Sequence, residues 1–75
     1  MNAMMVWNIY GDRARRAYSR SGGVDQPSSC SSGAEEVDGK HYIVLGNARG
    51  VLAVYRVGND DTLRRLRRWP ASIES

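Results

Sequence analysis

Ten of the eleven basic side chains in this sequence are arginine, and eight of those ten fall in two clusters. Arg13, Arg15, Arg16 and Arg20 form the first; Arg64, Arg65, Arg67 and Arg68 form the second. A guanidinium is planar, permanently charged and able to hold a phosphate through two parallel hydrogen bonds. Tyr18 lies inside the first cluster and Trp69 follows the second. An aromatic ring beside cations can stack on a base while its neighbours neutralise phosphates. The competing account is a solvated basic face with Trp69 in the core, because motif signals of this kind match by chance often. The net charge of +3 is modest, but its placement is not even. Residues 1–40 carry as many acids as bases, and the whole excess falls in 41–75.

Other chemistry-bearing residues carry less. Gly46-Asn-Ala-Arg-Gly50 lacks the Gly-Lys-Ser/Thr ending of a phosphate loop, and a strand pattern follows it where such a loop needs a helix N-terminus. His41 opens a strand pattern and has no cysteine or paired acid at a recognised spacing. Cys30 sits in Ser28-Ser-Cys-Ser-Ser32, which offers neither the rigid pocket nor the base that activates a thiol. Asp60 and Asp61 read as turn or cap residues. No nucleophile, base and orienting group can be assembled, so no enzyme, metal site or cofactor is expected.

The element that must position these residues is the stretch His41–Val57. Two runs rich in β-branched and aromatic residues flank Asn47-Ala48-Arg49-Gly50, the sequence form of a β-hairpin with a three-residue loop. With Asn47 opposite Val51, the side chains of Leu45, Ala53, Ile43, Tyr55, His41 and Val57 share one face. Tyr42, Val44, Leu52, Val54 and Arg56 share the other. Both faces are apolar, and an isolated hairpin is marginal in water. Both faces therefore need cover.

Met4–Tyr10 is a short apolar run whose Val, Trp, Ile and Tyr favour a strand. Asp12 then caps a short helix through Arg13–Arg20, which Gly22-Gly23 ends. Ser21–Lys40 is rich in Ser, Gly and acids, with too little apolar surface to offset its ordering entropy. It reads as a flexible linker. After the turn formers Gly58–Thr62, Leu63–Trp69 fits either a strand or a helix of about two turns that Pro70 ends. The strand is preferred, because it gives the hairpin a third member and arginines on an edge deter unwanted pairing. Pro70–Glu74 can add one helical turn.

The fold expected is therefore a small, β-rich α+β domain. It comprises an antiparallel hairpin (41–45/51–57), an arginine-rich third element (63–69) and a largely disordered 21–40 linker. The corresponding division is 1–20, an apolar segment and basic helix; 21–40, the linker; and 41–75, the hairpin domain. The lone cysteine excludes an intrachain disulfide and suits a reducing compartment. No apolar run is long enough to span a membrane, and the N-terminus lacks the order of a signal peptide. Cytoplasmic residence is the default.

The expected function is nucleic-acid binding of low sequence specificity, to DNA or RNA. Arg64, Arg65, Arg67 and Arg68 contact phosphates, Trp69 or Tyr18 stacks, and Arg13, Arg15, Arg16 and Arg20 add a second contact. The alternative is a protein-interaction module, in which a second copy or a partner completes the sheet and the arginines meet an acidic partner surface. A reading frame without a selected function is a further alternative, and Met4 and Met5 leave the start of translation open. A membrane surface ranks below these, since Leu63, Leu66 and Trp69 make a thin apolar side.

Overall fold

The structure, a computed structural model, describes residues 3–28 and 30–73. One helix, α1 (Ala3–Arg20), precedes four strands: β1 (Gly33–Val37), β2 (Lys40–Asn47), β3 (Gly50–Val57) and β4 (Leu63–Arg65). A single 3-10 turn follows at Ala71–Ile73, within the expected helical turn; Glu74 lies outside the described residues. The strands pair antiparallel in the order β1-β2-β3-β4, each beside its chain neighbour. The architecture is a small α+β unit.

The expected strand at Met4–Tyr10 is instead the first half of α1, and the helix expected from Arg13 is its second half. Val6, Tyr10, Ala14 and Tyr18 recur every four residues, the spacing of one helix face. All four are buried in a single cluster with Ile43, Leu45, Ala53 and Tyr55. Packing of that stripe overrides the strand propensity of its individual residues. Asp12 lies exposed in mid-helix and caps nothing. Gly11 does not break the helix; its bare Cα accommodates the Trp7 ring, whose atoms would lie 3.0–3.1 Å from a Cβ there. The helix ends at the expected glycines. Gly22 has φ +87°, its amide donates to the Ser19 carbonyl (3.2 Å), and the Gly23 amide donates to that of Tyr18 (3.3 Å). These are the paired bonds of a Schellman C-cap.

The expected disordered linker contains strand β1, which pairs with β2 from Gly33↔Val44 to Val37↔Lys40. Asp38 (φ 52°) and Gly39 (φ 77°) connect them, the left-handed pair of a type I′ hairpin turn. Upstream, the chain is held to the tip of the next hairpin. The Ser28 amide donates to the Gly46 carbonyl (2.8 Å), and the Gly46 amide donates to the Ser32 hydroxyl (3.1 Å).

The central hairpin forms with Ile43 opposite Tyr55 and Leu45 opposite Ala53, as the alternation requires. Its tip differs from expectation. Asn47 pairs with Gly50, not Val51, and the register shifts between Leu45 and Gly46, leaving Leu52 as an extra residue in β3. Leu52 therefore joins Ala53 on the α1 side, and Val51 turns to the opposite side. The Asn47 side-chain carbonyl accepts from the Arg49 amide at 2.8 Å, which fixes the two-residue loop.

Both apolar faces are covered from within the chain. α1 covers Ile43, Leu45, Ala53 and Tyr55. The segment after β4 crosses the other face, where Ile73 is buried with Tyr42, Val44 and Val54, and Leu66 and Trp69 pack at the side. The 63–69 element is thus a strand for Leu63–Arg65 only. Leu63 packs on the helix side and Leu66 and Trp69 on the other, so Leu63 and Trp69 do not share a face as a continuous strand would require.

Candidate nucleic-acid interface

β4 positions the second arginine cluster. Arg64 lies opposite Arg56, and Arg65 lies opposite Tyr55. Alternation sends Arg64 and Arg56 to the face of Tyr42 and Val54, and Arg65 to the face of α1. Two like charges set directly opposite each other across a sheet are destabilising. Arg56 and Arg64 line one shallow groove with Gly58, Asp60 and Thr62. The Asp60 carboxylate there accepts the Thr62 hydroxyl (2.7 Å). That bond, with backbone bonds and the Arg64 charge assisting, holds its pKa below the ordinary 3.8.

Arg65 reaches the end of α1. Its guanidinium donates to the Ser21 hydroxyl (2.9 Å) and stands 5.8 Å from the Tyr18 ring centroid. Arg67 and Arg68 are exposed on the segment leaving β4, and Trp69 is half-buried beside them. Tyr18 is a core residue at 7 % exposure, with Gly23 packed against its ring, so it has no free face for a base.

The first cluster divides. Arg13 turns to the β3–β4 connection, donating to the Asp61 carbonyl (3.0 Å) and lying 3.8 Å from its carboxylate. The Tyr10 hydroxyl also donates to that carboxylate. Arg15 stands over the Trp7 ring at 5.3 Å. Arg16 and Arg20 are exposed on α1. The structure therefore brings Arg65 to the helix end and Arg13 to the turn, and it does not merge the two clusters into one patch.

Among the described residues, the ion pairs are Arg13–Asp61, His41–Glu36 and Arg49–Asp25. Arg56, Arg64, Arg65, Arg67 and Arg68 have no described carboxylate within ion-pair distance. Arg56 stands alone in the sequence, outside both arginine clusters. The signal was its place on the Tyr42–Val54 face, which a third strand in register brings opposite Arg64.

His41 lies 3.7 Å from Glu36, and its Nδ1 is buried without a hydrogen-bond partner among the described residues. Cys30 is exposed. No group of three or more His, Cys, Asp or Glu among the described residues is placed to hold a metal ion. No helix among them is long and apolar enough to cross a membrane. No protein-family model, curated protein or solved structure matches the chain.

Proposed function

We propose that this chain is a small nucleic-acid-binding accessory protein of low sequence specificity, without catalytic activity, acting in the cytoplasm. One observation supports the reading above others. Arg56, Arg64, Arg65, Arg67 and Arg68 lie on β3, β4 and the segment after it, and none forms an ion pair with a described carboxylate. Guanidiniums without carboxylate ion pairs, two of them directly opposed across strands, favour a polyanion that relieves their repulsion. The arrangement offers no base-specific set of donors, so binding comes from counterion release.

If all five neutralise a phosphate, log affinity falls against log salt with a slope of about −3.5 for a single strand or about −4.5 for a duplex. Fluorescence anisotropy of a labelled oligonucleotide at several salt concentrations reads that slope. Replacing Arg64, Arg65, Arg67 and Arg68 by Gln reduces its magnitude to about 1 or below. Salt-independent binding, or an unchanged slope in that variant, rejects the proposal.

A second reading, completion of the sheet by a protein partner or another copy, draws on a different feature. β4 pairs only with Tyr55–Val57, so among the described residues no strand lies beside Val51–Ala53 on that side. Light scattering across a concentration series distinguishes it by showing assembly without nucleic acid.

A further inference from the structure

An apolar groove opens where β4 stops. The Leu66 amide still donates to the Val54 carbonyl (2.9 Å), and the chain then bends away across the sheet. The space it leaves is lined by Leu52, Ala53, Arg65, Leu66, Arg67 and Trp69. The extra residue in β3 gives this groove one wall, because it turns Leu52 to the same side as Ala53. Leu52, Leu66 and Trp69 are only half-buried, whereas Ile43, Leu45 and Val54 are 0 % exposed. A second depression shares Leu52 and Arg65 with this groove and is lined beyond them by the Gly22-Gly23 turn and Asp25.

We infer that this groove takes single-stranded nucleic acid, with an unstacked base against Trp69, Leu52 and Leu66 and the flanking phosphates on Arg65 and Arg67. The inference rests on the nucleic-acid reading and adds the place and the strandedness. Because Asp25 lines the second depression, the phosphates are placed at the Arg65–Arg67 end. The apolar lining requires an apolar face from its occupant. A base in a duplex keeps its faces stacked on its neighbours, whereas an unpaired base presents one to an aromatic ring. Charge complementarity selects the polyanion over a second copy. Edge-to-edge pairing of two copies would bring Arg65 and Arg67 of each towards the same arginines of the other, a recognised deterrent to such pairing.

The test uses the full chain carrying Trp7→Phe, so that Trp69 is the only indole. Its emission is followed while short oligothymidylate, or a duplex of equal strand length, is added at low salt. The expected result is quenching by oligothymidylate and affinity for it at least about tenfold above that for duplex. Trp69→Leu weakens single-strand binding by about 5- to 150-fold, and Trp69→Phe retains most of it. The emission readout uses the native Trp69, so a Trp69 variant that fails to fold leaves the test intact. Equal affinity for both ligands with unchanged emission overturns the groove assignment while the phosphate reading stands. Binding of neither ligand overturns both. A concentration-dependent dimer that shields Trp69 gives the groove to a second copy and overturns the inference.

Discussion

Replacing Gly11 by Ala sets two effects of similar size against each other. In mid-helix, Ala is favoured over Gly by about 0.8–1.0 kcal/mol. At this position the new methyl would meet three Trp7 ring atoms at 3.0–3.1 Å. The ring must retreat by about 0.5 Å to regain ordinary carbon–carbon contact. Overpacking of this kind costs about 1–3 kcal/mol. Trp7 is packed against the core on one side and faces Arg15 on another, so its retreat disturbs both contacts. We expect Gly11→Ala to destabilise the protein by about 0.5–1 kcal/mol net. In a Trp7→Leu background the obstruction is gone, and the same change stabilises by about 1 kcal/mol. The double-mutant cycle therefore gives a coupling of about 1.5–2 kcal/mol, well above the scatter between independent sites. Urea unfolding of the four proteins, followed by circular dichroism, measures it. If Gly11→Ala stabilises both backgrounds equally, Trp7 does not lie over Gly11 and the packing described for α1 is wrong.

Ile73→Ala uncovers Tyr42, Val44 and Val54 and is expected to cost about 2–4 kcal/mol in denaturant unfolding; a loss below about 0.5 kcal/mol would show that the C-terminal turn does not cap that face. At Gly39, where φ is +77° and a Cβ meets nothing within 4 Å, L-alanine is expected to cost about 1–2 kcal/mol through the backbone alone. D-Alanine introduced there by chemical synthesis should cost nothing, and equal melting of the two forms would refute a left-handed turn. The Tyr10 hydroxyl is held above its ordinary 10.0, first by its hydrogen bond to Asp61, then by burial and the Asp61 charge, with Arg13 opposing. A pKa raised by folding contributes stability that is whole below the unfolded value and lost as pH rises through the folded one. Thermal melts above about pH 10 should fall more steeply for the parent than for Tyr10→Phe, and parallel curves would contradict the Tyr10–Asp61 bond.

The face shared by Ile43, Leu45, Ala53 and Tyr55 was legible from strand alternation, and their pairing matched because the extra residue in β3 offsets the shorter loop. The helix was not. Val, Trp, Ile and Tyr at 6–10 each favour a strand locally, and only the four-residue recurrence carried through Ala14 to Tyr18 reveals the helix face. Gly11-Asp12 obscured that recurrence by resembling a turn. β1 was hidden because Glu35 and Glu36 face water and its apolar residues are few. Its one strong sign was Asp38-Gly39, a hairpin turn signal standing immediately before the obvious strand. The shift at Leu45/Gly46 could not be read, because Val51 and Leu52 suit either face equally well. That shift also concealed half of the candidate groove. The arginines themselves were visible, but their division was not, since it depends on Asp61 and Ser21 being brought to Arg13 and Arg65.

Because each strand of the sheet lies beside its predecessor, the sheet can zip up hairpin by hairpin with only short loops to close. The long closure is left to α1, whose Tyr10 meets Asp61 and whose Tyr18 meets Arg65 across more than forty intervening residues. We expect the contacts that tie the helix to the β3–β4 connection to form after the rate-limiting step, and a φ-value near 1 for Tyr10→Phe would refute this.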